Sequence, residues 1–428
     1  MIRKLVNHPV SILLMLTLVS KGIGFLREMV LAYYFGTGKE YDVFLIAYTF
    51  PIIIISVTSY AFPNFIIPRI GKNKSNEYKY LTFYFLLSLS FSVILFLFAR
   101  QIVLIIDPTL EVKYINVAVK ILHYLAFYTL FFNLFNIYKS FFQSRKRFVL
   151  PAASQLLVHL MLIFIVVMFQ GQLGVLAIGI GLITGTFFQL VIPFAIYHFQ
   201  NKFKLDFNVK GISAGITISV FIIFLVEVVG QINSFVDRYF AAKLDTGVIS
   251  ALNYGNVLYI LPTSLFILSI GTIIFPFFRD YFSENNYEKL RKTLSNSYKI
   301  ILLFGLPIFI LFHFFSEIIV QVIFERGKFD TAATDITSGI ISIYSFGIPF
   351  VMLHFVFSRL LLVMKKENIL FIGNLIGFTA KIIFLVLMGS SLNYKHIPFS
   401  TIISVMISCF WIGIWSYYYF IKLRKGLV

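Results

Sequence analysis

The sequence predicts an all-α polytopic membrane protein, with about 12 transmembrane helices in two pseudo-symmetric six-helix lobes around a central cavity. Three observations predict it. Of 428 residues, 59% are apolar or aromatic and only 13% charged, with a mean hydropathy of +0.90, whereas soluble domains are about one quarter charged. Apolar segments long enough to cross ~30 Å of hydrocarbon recur along the whole chain. Lysine and arginine also alternate between successive loops, 22 in one set and 6 in the other.

The spans fall at roughly 11–35, 43–68, 80–106, 114–142, 150–170, 173–198, 211–240, 249–278, 300–323, 336–363, 369–388 and 397–421. The opening Met1-Ile2-Arg3-Lys4 and the apolar run behind it have the outline of a signal peptide. Lys21 and Arg27 interrupt that run, and no small-residue cleavage site appears, so this reads as a retained first span. Lys and Arg favour the cytoplasmic side of short loops, so the bias of 22 to 6 puts both termini in the cytoplasm and makes the number of spans even. Every loop is about twenty residues or shorter. That leaves no room for a soluble catalytic domain, and the expectation is a transporter, not an enzyme.

A weak internal repeat at an offset of about 210–220 residues divides the chain into an N-lobe, 1–205 with spans 1–6, and a C-lobe, 206–428 with spans 7–12. Phe25-Leu26-Arg27 with Gly36 and Pro51 falls against Val236-Asp237-Arg238 with Gly247 and Pro262. Likewise the Phe-rich run before Arg145-Lys146-Arg147 falls against that before Lys365-Lys366-Glu367. An even number of spans per half gives the halves the same orientation, related by an axis along the membrane normal. Rocking such halves would expose a central cavity to each side in turn.

Ionisable residues within the spans are the most informative positions, because each costs at least ~2.5–3.5 kcal/mol in hydrocarbon and therefore faces protein or water. They are Lys21, Arg27 and Glu28 in span 1, Lys120 and Lys139 in span 4, Glu227, Asp237 and Arg238 in span 7, Arg359 in span 10 and Lys381 in span 11. Lys120 and Lys139 lie within two turns of a boundary, where snorkelling accounts for them. Lys21 and Arg27 are roughly 9 Å apart along a helix and 240° apart around it, so they line different depths. Cations outnumber acids in spans 1, 7, 10 and 11, which suits an anion, and arginine offers forked donors to phosphate. Glu227 and Asp237, ten residues apart, are candidates for a coupling-ion or proton site.

Several function classes are excluded. The charge of +18 sits in short clusters between apolar runs, which is topology and not nucleic-acid binding. Cys409 is the single cysteine and forms no intrachain disulfide. The span histidines His123, His159, His198, His313 and His354 lack ligand spacing, so neither a metal nor another cofactor is expected. No phosphate-binding glycine loop or nucleophile elbow is present.

Ser20-Lys21-Gly22-Ile23-Gly24-Phe25-Leu26-Arg27-Glu28, followed by Phe35-Gly36-Thr37-Gly38 and Tyr41-Asp42-Val43-Phe44, resembles the opening of the lipid II flippase family known as MurJ or MviN. Phe324-Glu325-Arg326-Gly327-Lys328-Phe329-Asp330 with Thr334 resembles its signature before span 10. Ser250-Ala251-Leu252-Asn253-Tyr254, Leu261-Pro262 and Gly271-Thr272-Ile273-Ile274-Phe275-Pro276 resemble its span 8. The resemblance implies the fold of the multidrug/oligosaccharidyl-lipid/polysaccharide exporters, a bacterial cytoplasmic membrane location, and outward flipping of an undecaprenyl-diphosphate-linked peptidoglycan precursor. Membrane lipids are the surroundings, Na+, H+ or the membrane potential the drive, and a monomer the expected state. Lys21 and Arg27 match the family's span 1 cations, Glu28 the adjacent acid and Asp42 the acid opening span 2.

The expected substrate-binding set is therefore Lys21, Arg27, Glu28, Asp42, Asp237, Arg238, Asn256, Arg359 and Lys381. Two departures bear on the cargo: Ile55-Ser56 stands where the family has an arginine pair, and Asn256-Val257 where it has Asp-Arg. The apolar segments also number twelve, where typical members carry two further spans. A flippase for a capsule or exopolysaccharide precursor is the alternative. A drug/cation antiporter of the same superfamily, or a non-transporting scaffold for envelope-synthesis enzymes, would tolerate loss of the buried cations.

Overall fold

The computed structural model describes residues 9–67, 74–201, 206–207 and 218–424. Pro68, the start of span 7 at 211–217, residues 69–73 of the loop 69–79, most of the loop 202–210, and the terminal cations Arg3, Lys4 and Lys425 lie outside the described residues. No β-strand occurs among those described, and each of the twelve predicted segments is helical over its described residues.

The first half contains α1 (Pro9–Phe35), α2 (Lys39–Ile66), α3 (Lys74–Leu97), α4 (Ala99–Ile106), α5 (Val112–Ser144), α6 (Val149–Ser154), α7 (Leu156–Leu173) and α8 (Leu176–Gln200). The second contains α9 (Ile218–Ala241), α10 (Val248–Ser283), α11 (Tyr287–Phe314), α12 (Ser316–Phe324), α13 (Thr331–Ser345), α14 (Gly347–Val363), α15 (Glu367–Met388) and α16 (His396–Arg424). Eight helices among the described residues are long and apolar enough to cross a membrane, nine if α13 and α14 form one span bent by 42°. The other three predicted spans are α1, α9 and α10, helical over 27, 24 and 36 residues.

Four predicted spans are thus built from two helices each. The α13/α14 bend has a local cause. Pro349 has no N–H to give the Ser345 carbonyl, and its ring crowds that carbonyl, so the chain turns at Phe346. Gly347 fits the bend because a Cβ there would lie 2.8 Å from the Tyr259 hydroxyl.

The described residues fall into two compact units, Met1–Gln231 with Arg326–Lys328, and Ile232–Glu325 with Phe329–Val428. In the first, α5 packs against α2, α3 and α8, and α7 packs against α8. Tyr80, Tyr84, Phe135, Tyr138, Phe141 and Tyr197 form an aromatic core there. Thr58 Oγ1 donates to Asn133 Oδ1 at 2.6 Å and Asn136 Nδ2 to Ser59 Oγ at 2.6 Å, so α2 and α5 satisfy each other's polar groups where lipid would satisfy none. In the second unit α16 packs against α15 and α14, and α10 against α13 and α14.

Both halves carry matching chain reversals. Gly36, after α1, and Gly247, between α9 and α10, are left-handed, with φ of 55° and 93°. These are the repeat-related glycines, and only glycine adopts such angles without steric cost. After α5, Lys146 has φ 59° and the Arg147 N–H donates to Phe142 O at 2.9 Å. After α14, Lys365 has φ 55° and the Lys366 N–H donates to Leu361 O at 2.9 Å. These are two copies of a Schellman turn, each closed by a lysine where glycine would be unstrained. Lys365→Gly is accordingly expected to stabilise the protein by roughly 1 kcal/mol, read as a higher midpoint of thermal unfolding in detergent. A lower midpoint would contradict the strain argument.

Candidate functional site

The first unit places Lys21, Arg27 and Glu28 on α1. Arginine and glutamate are neighbours in the chain, yet their long side chains meet: Arg27 Nε donates to Glu28 Oε1 at 3.1 Å, and Arg27 Nη2 donates to the same oxygen. The third contact crosses to another helix, from Arg27 Nη1 to His159 Nδ1 of α7 at 3.4 Å. Gly24 lies against the His159 ring, where a Cβ would sit 3.6 Å from it, so the small residue one turn before Arg27 lets α7 come close. The Arg27 side chain is 24% exposed and that of Glu28 6%. A guanidinium has five donors, so these contacts leave Arg27 capacity for a further anion.

Around this pair the walls are aromatic. The rings of Phe35, Tyr41, Phe44 and Tyr48 stack in series at centroid spacings of 6.2, 5.8 and 5.4 Å. The Tyr48 hydroxyl lies 3.4 Å from that of Tyr128 on α5. Asp42 is buried in the first turn of α2, which begins after Gly38, where the helix dipole favours a carboxylate. Lys21 is partly buried one and a half turns before Arg27. Glu227, on α9, accepts from Gln231 Nε2 at 2.9 Å. Ile55 is buried in the interior of this unit, so at that departure from the family pattern the protein has hydrocarbon in place of charge.

The second unit brings Asp237, Arg238 and Lys381 together. Lys381 is 0% exposed and its Nζ lies 2.7 Å from Asp237 Oδ1, a close ion contact with an exposure of 19% on the aspartate side. The same Nζ donates to Asn233 O at 3.2 Å. Beside the pair is a cavity of about 200 Å³ whose lining includes Arg238, Ser234, Asn253, Asn256, Tyr344 and Thr401. One guanidinium, two carboxamides and three hydroxyls can hold an anionic or hydroxyl-rich group. Arg359 is elsewhere in the unit. Its guanidinium lies over the rings of Phe355 and Phe275, at 4.7 and 5.7 Å from their centroids, and it does not line this cavity.

Pairing leaves the surplus of two cations unchanged, since each contact takes one cation and one acid. Two of the five cations counted in the sequence, Arg27 and Lys381, already have an acid in contact. A basic turn assigned only to topology also does structural work: Arg145 Nη2 reaches both Glu77 oxygens, at 2.8 and 2.7 Å, and the Tyr197 hydroxyl donates to the same carboxylate. The sequence marks His159 only as a poor metal ligand. No periodicity relates it to a residue 132 positions away.

The family model described as lipid II flippase MurJ matches residues 31–423, nearly the whole chain. The chain belongs to the lipid II flippase MurJ family. A relative from Borreliella burgdorferi named as a probable lipid II flippase MurJ is 26% identical over 355 residues, covering 78% of this chain and 68% of the relative. One of the same name from Aquifex aeolicus is 27% identical over 346 residues, covering 77% of this chain and 66% of the relative. The chain thus spans about two thirds of the length of these relatives. Among solved structures, lipid II flippase MurJ in an inward closed conformation superposes with a TM-score of 0.82 at 23% identity, over 97% of this chain and 90% of that one. An inward-facing multidrug resistance MATE family transporter superposes at 0.73 and 12% identity, over 95% and 96%. These likenesses show the two-lobed helical fold. By family the chain is a membrane transporter, a lipid II flippase.

Proposed function

We propose that this flippase moves lipid II from the inner to the outer leaflet of the bacterial cytoplasmic membrane by alternating access of two lobes, residues 1–205 and 206–428, with both termini cytoplasmic. The diphosphate is taken by Lys21 and Arg27 on the N-lobe side and by Arg238 and Asn256 on the C-lobe side, while the polyprenyl tail stays in lipid. Asp42 and Glu28 position the N-lobe cations. The observation that supports this siting is the repeat-related pair of arginines, Arg27 beside Glu28 and Arg238 beside Asp237, each in a membrane-depth helix. An arginine there is costly unless neutralised. On α1 the Glu28 carboxylate offsets Arg27 while the carrier is empty, and an arriving diphosphate offers more oxygen acceptors than one carboxylate.

Coupling is constrained by the second unit. The Asp237 carboxylate already holds the Lys381 ammonium, so this reading needs no free cation there. The membrane potential drives the step, and Glu227 is the remaining candidate for a coupled proton or sodium ion. The chain works as a monomer.

The test is complementation of a bacterium depleted of its lipid II flippase. Growth and normal cell shape are expected on expression of this chain. Lysis despite correct membrane insertion would transfer the assignment to another polyprenyl-diphosphate-linked saccharide, such as a capsule precursor. Export of cationic dyes by the same cells would instead indicate an antiporter.

A further inference from the structure

A second basic site lies on α11, on residues the transport reading does not use. The helix buries Leu290, Leu294, Ser297 and Ile301, one face at helical spacing. The opposite face is exposed and changes character along its length. At its beginning it carries Glu288, Arg291, Lys292, Ser295, Asn296 and Lys299, which with Tyr287 line a cavity of about 350 Å³. One turn later the same face shows Leu302 and Leu303, 63% and 67% exposed, then Leu306 and Ile310. At 100° per residue, Lys292, Lys299, Leu303, Leu306 and Ile310 fall within about 60° of one another. Cationic groups, hydrogen-bonding groups and bare leucines therefore form one continuous stripe.

Such a stripe is matched by an amphiphile of opposite charge. Among the eight described helices long and apolar enough to cross a membrane, α11 is the least covered by protein, with 17% of its apolar window buried, so its leucines are left to lipid chains. The basic cavity sits where the face turns from polar to apolar, which is the depth of a phospholipid phosphate. Lys292 and Lys299 are two turns apart, roughly 10 Å along the axis, enough to clasp a headgroup from above and below. Three cations against Glu288 leave the cavity positive. We propose that this notch binds an anionic phospholipid, the phosphate held by Arg291, Lys292 and Lys299, the headgroup hydroxyls by Ser295 and Asn296, and the acyl chains lying along Leu303, Leu306 and Ile310.

The experiment uses the full chain in phosphatidylcholine nanodiscs, titrated with a fluorescent phosphatidylglycerol. Saturable binding is expected, with little retention of a zwitterionic probe of the same chain length. The triple variant R291Q/K292Q/K299Q is expected to weaken binding at least tenfold, since each basic residue near an anionic surface contributes about a factor of five. All three residues are exposed, so the variant keeps the fold, and E288Q is expected to bind more tightly. Equal retention of the two probes, or an unaltered preference in the triple variant, overturns the proposal. Displacement of the probe by a polyprenyl diphosphate at equal concentration also overturns it, by assigning the notch to the transported lipid.

Discussion

Replacing Arg27 with alanine is expected to reduce lipid II flipping at least a hundredfold in reconstituted vesicles. The guanidinium supplies charge-assisted hydrogen bonds, each contributing about 1.5–3 kcal/mol, and losing two of them raises the barrier by about 3 kcal/mol, a factor of roughly a hundred. The substitution also removes the partner of Glu28, whose Oε2 is buried without a hydrogen bond. Stranding a buried charge costs about 3–5 kcal/mol, so R27A alone is expected to insert poorly and would by itself be ambiguous. The pair R27A/E28Q removes both charges and is expected to recover abundance and thermal midpoint while remaining inactive. R27K keeps the charge but loses the fork, and is expected to fall between. Wild-type flipping by a correctly inserted R27A/E28Q would end the assignment of Arg27 to the diphosphate.

The same pair shows where the sequence is informative. A bilayer forces each crossing to be about 20 apolar residues long and each charge within it to be accounted for. The helical segments were therefore legible from the lengths of the apolar runs, and Arg27, Asp237 and Arg238 stand out as charges within them. The repeat was legible at Gly36 and Gly247 because glycine takes such backbone angles without steric cost, which favours it at both turns. Partnership was not legible. His159 meets Arg27 from 132 residues away, and Lys381 meets the Asn233 carbonyl from 148, separations to which a helical period gives no clue. Helix breaks divide in the same way. The one at Phe346 has Pro349 beside it, but those at Phe98 and Phe315 have no proline or glycine at the break, only polar residues just after it, Arg100-Gln101 and Ser316-Glu317. Summing charges gives the cationic surplus but not which side chains meet, because a sum takes no account of contact.

Lys381 supplies the other large effect. It is fully buried, its Nζ 2.7 Å from Asp237, so Lys381→Ala leaves a carboxylate at membrane depth without its counter-charge. A destabilisation of about 3–5 kcal/mol is expected, visible as loss of the folded protein at moderate temperature. Asp237→Asn with Lys381→Ala removes both charges and is expected to restore most of that loss. A double-mutant cycle should therefore give a coupling on the order of 2 kcal/mol or more. The single variant carries a second expectation. Without the ammonium, the Asp237 carboxylate, the Asn233 carbonyl and the Thr401 hydroxyl beside the cavity become a cluster of oxygen donors, which suits a hard cation. Sodium should then raise the thermal midpoint of K381A through binding to the folded state, and choline should not. The wild type should respond to neither, and its flipping should continue when sodium is replaced by choline. Sodium-dependent flipping by the wild type would mean that Lys381 leaves Asp237 during the cycle, and the pair would then be a moving part of transport instead of a fixed tie between α9 and α15.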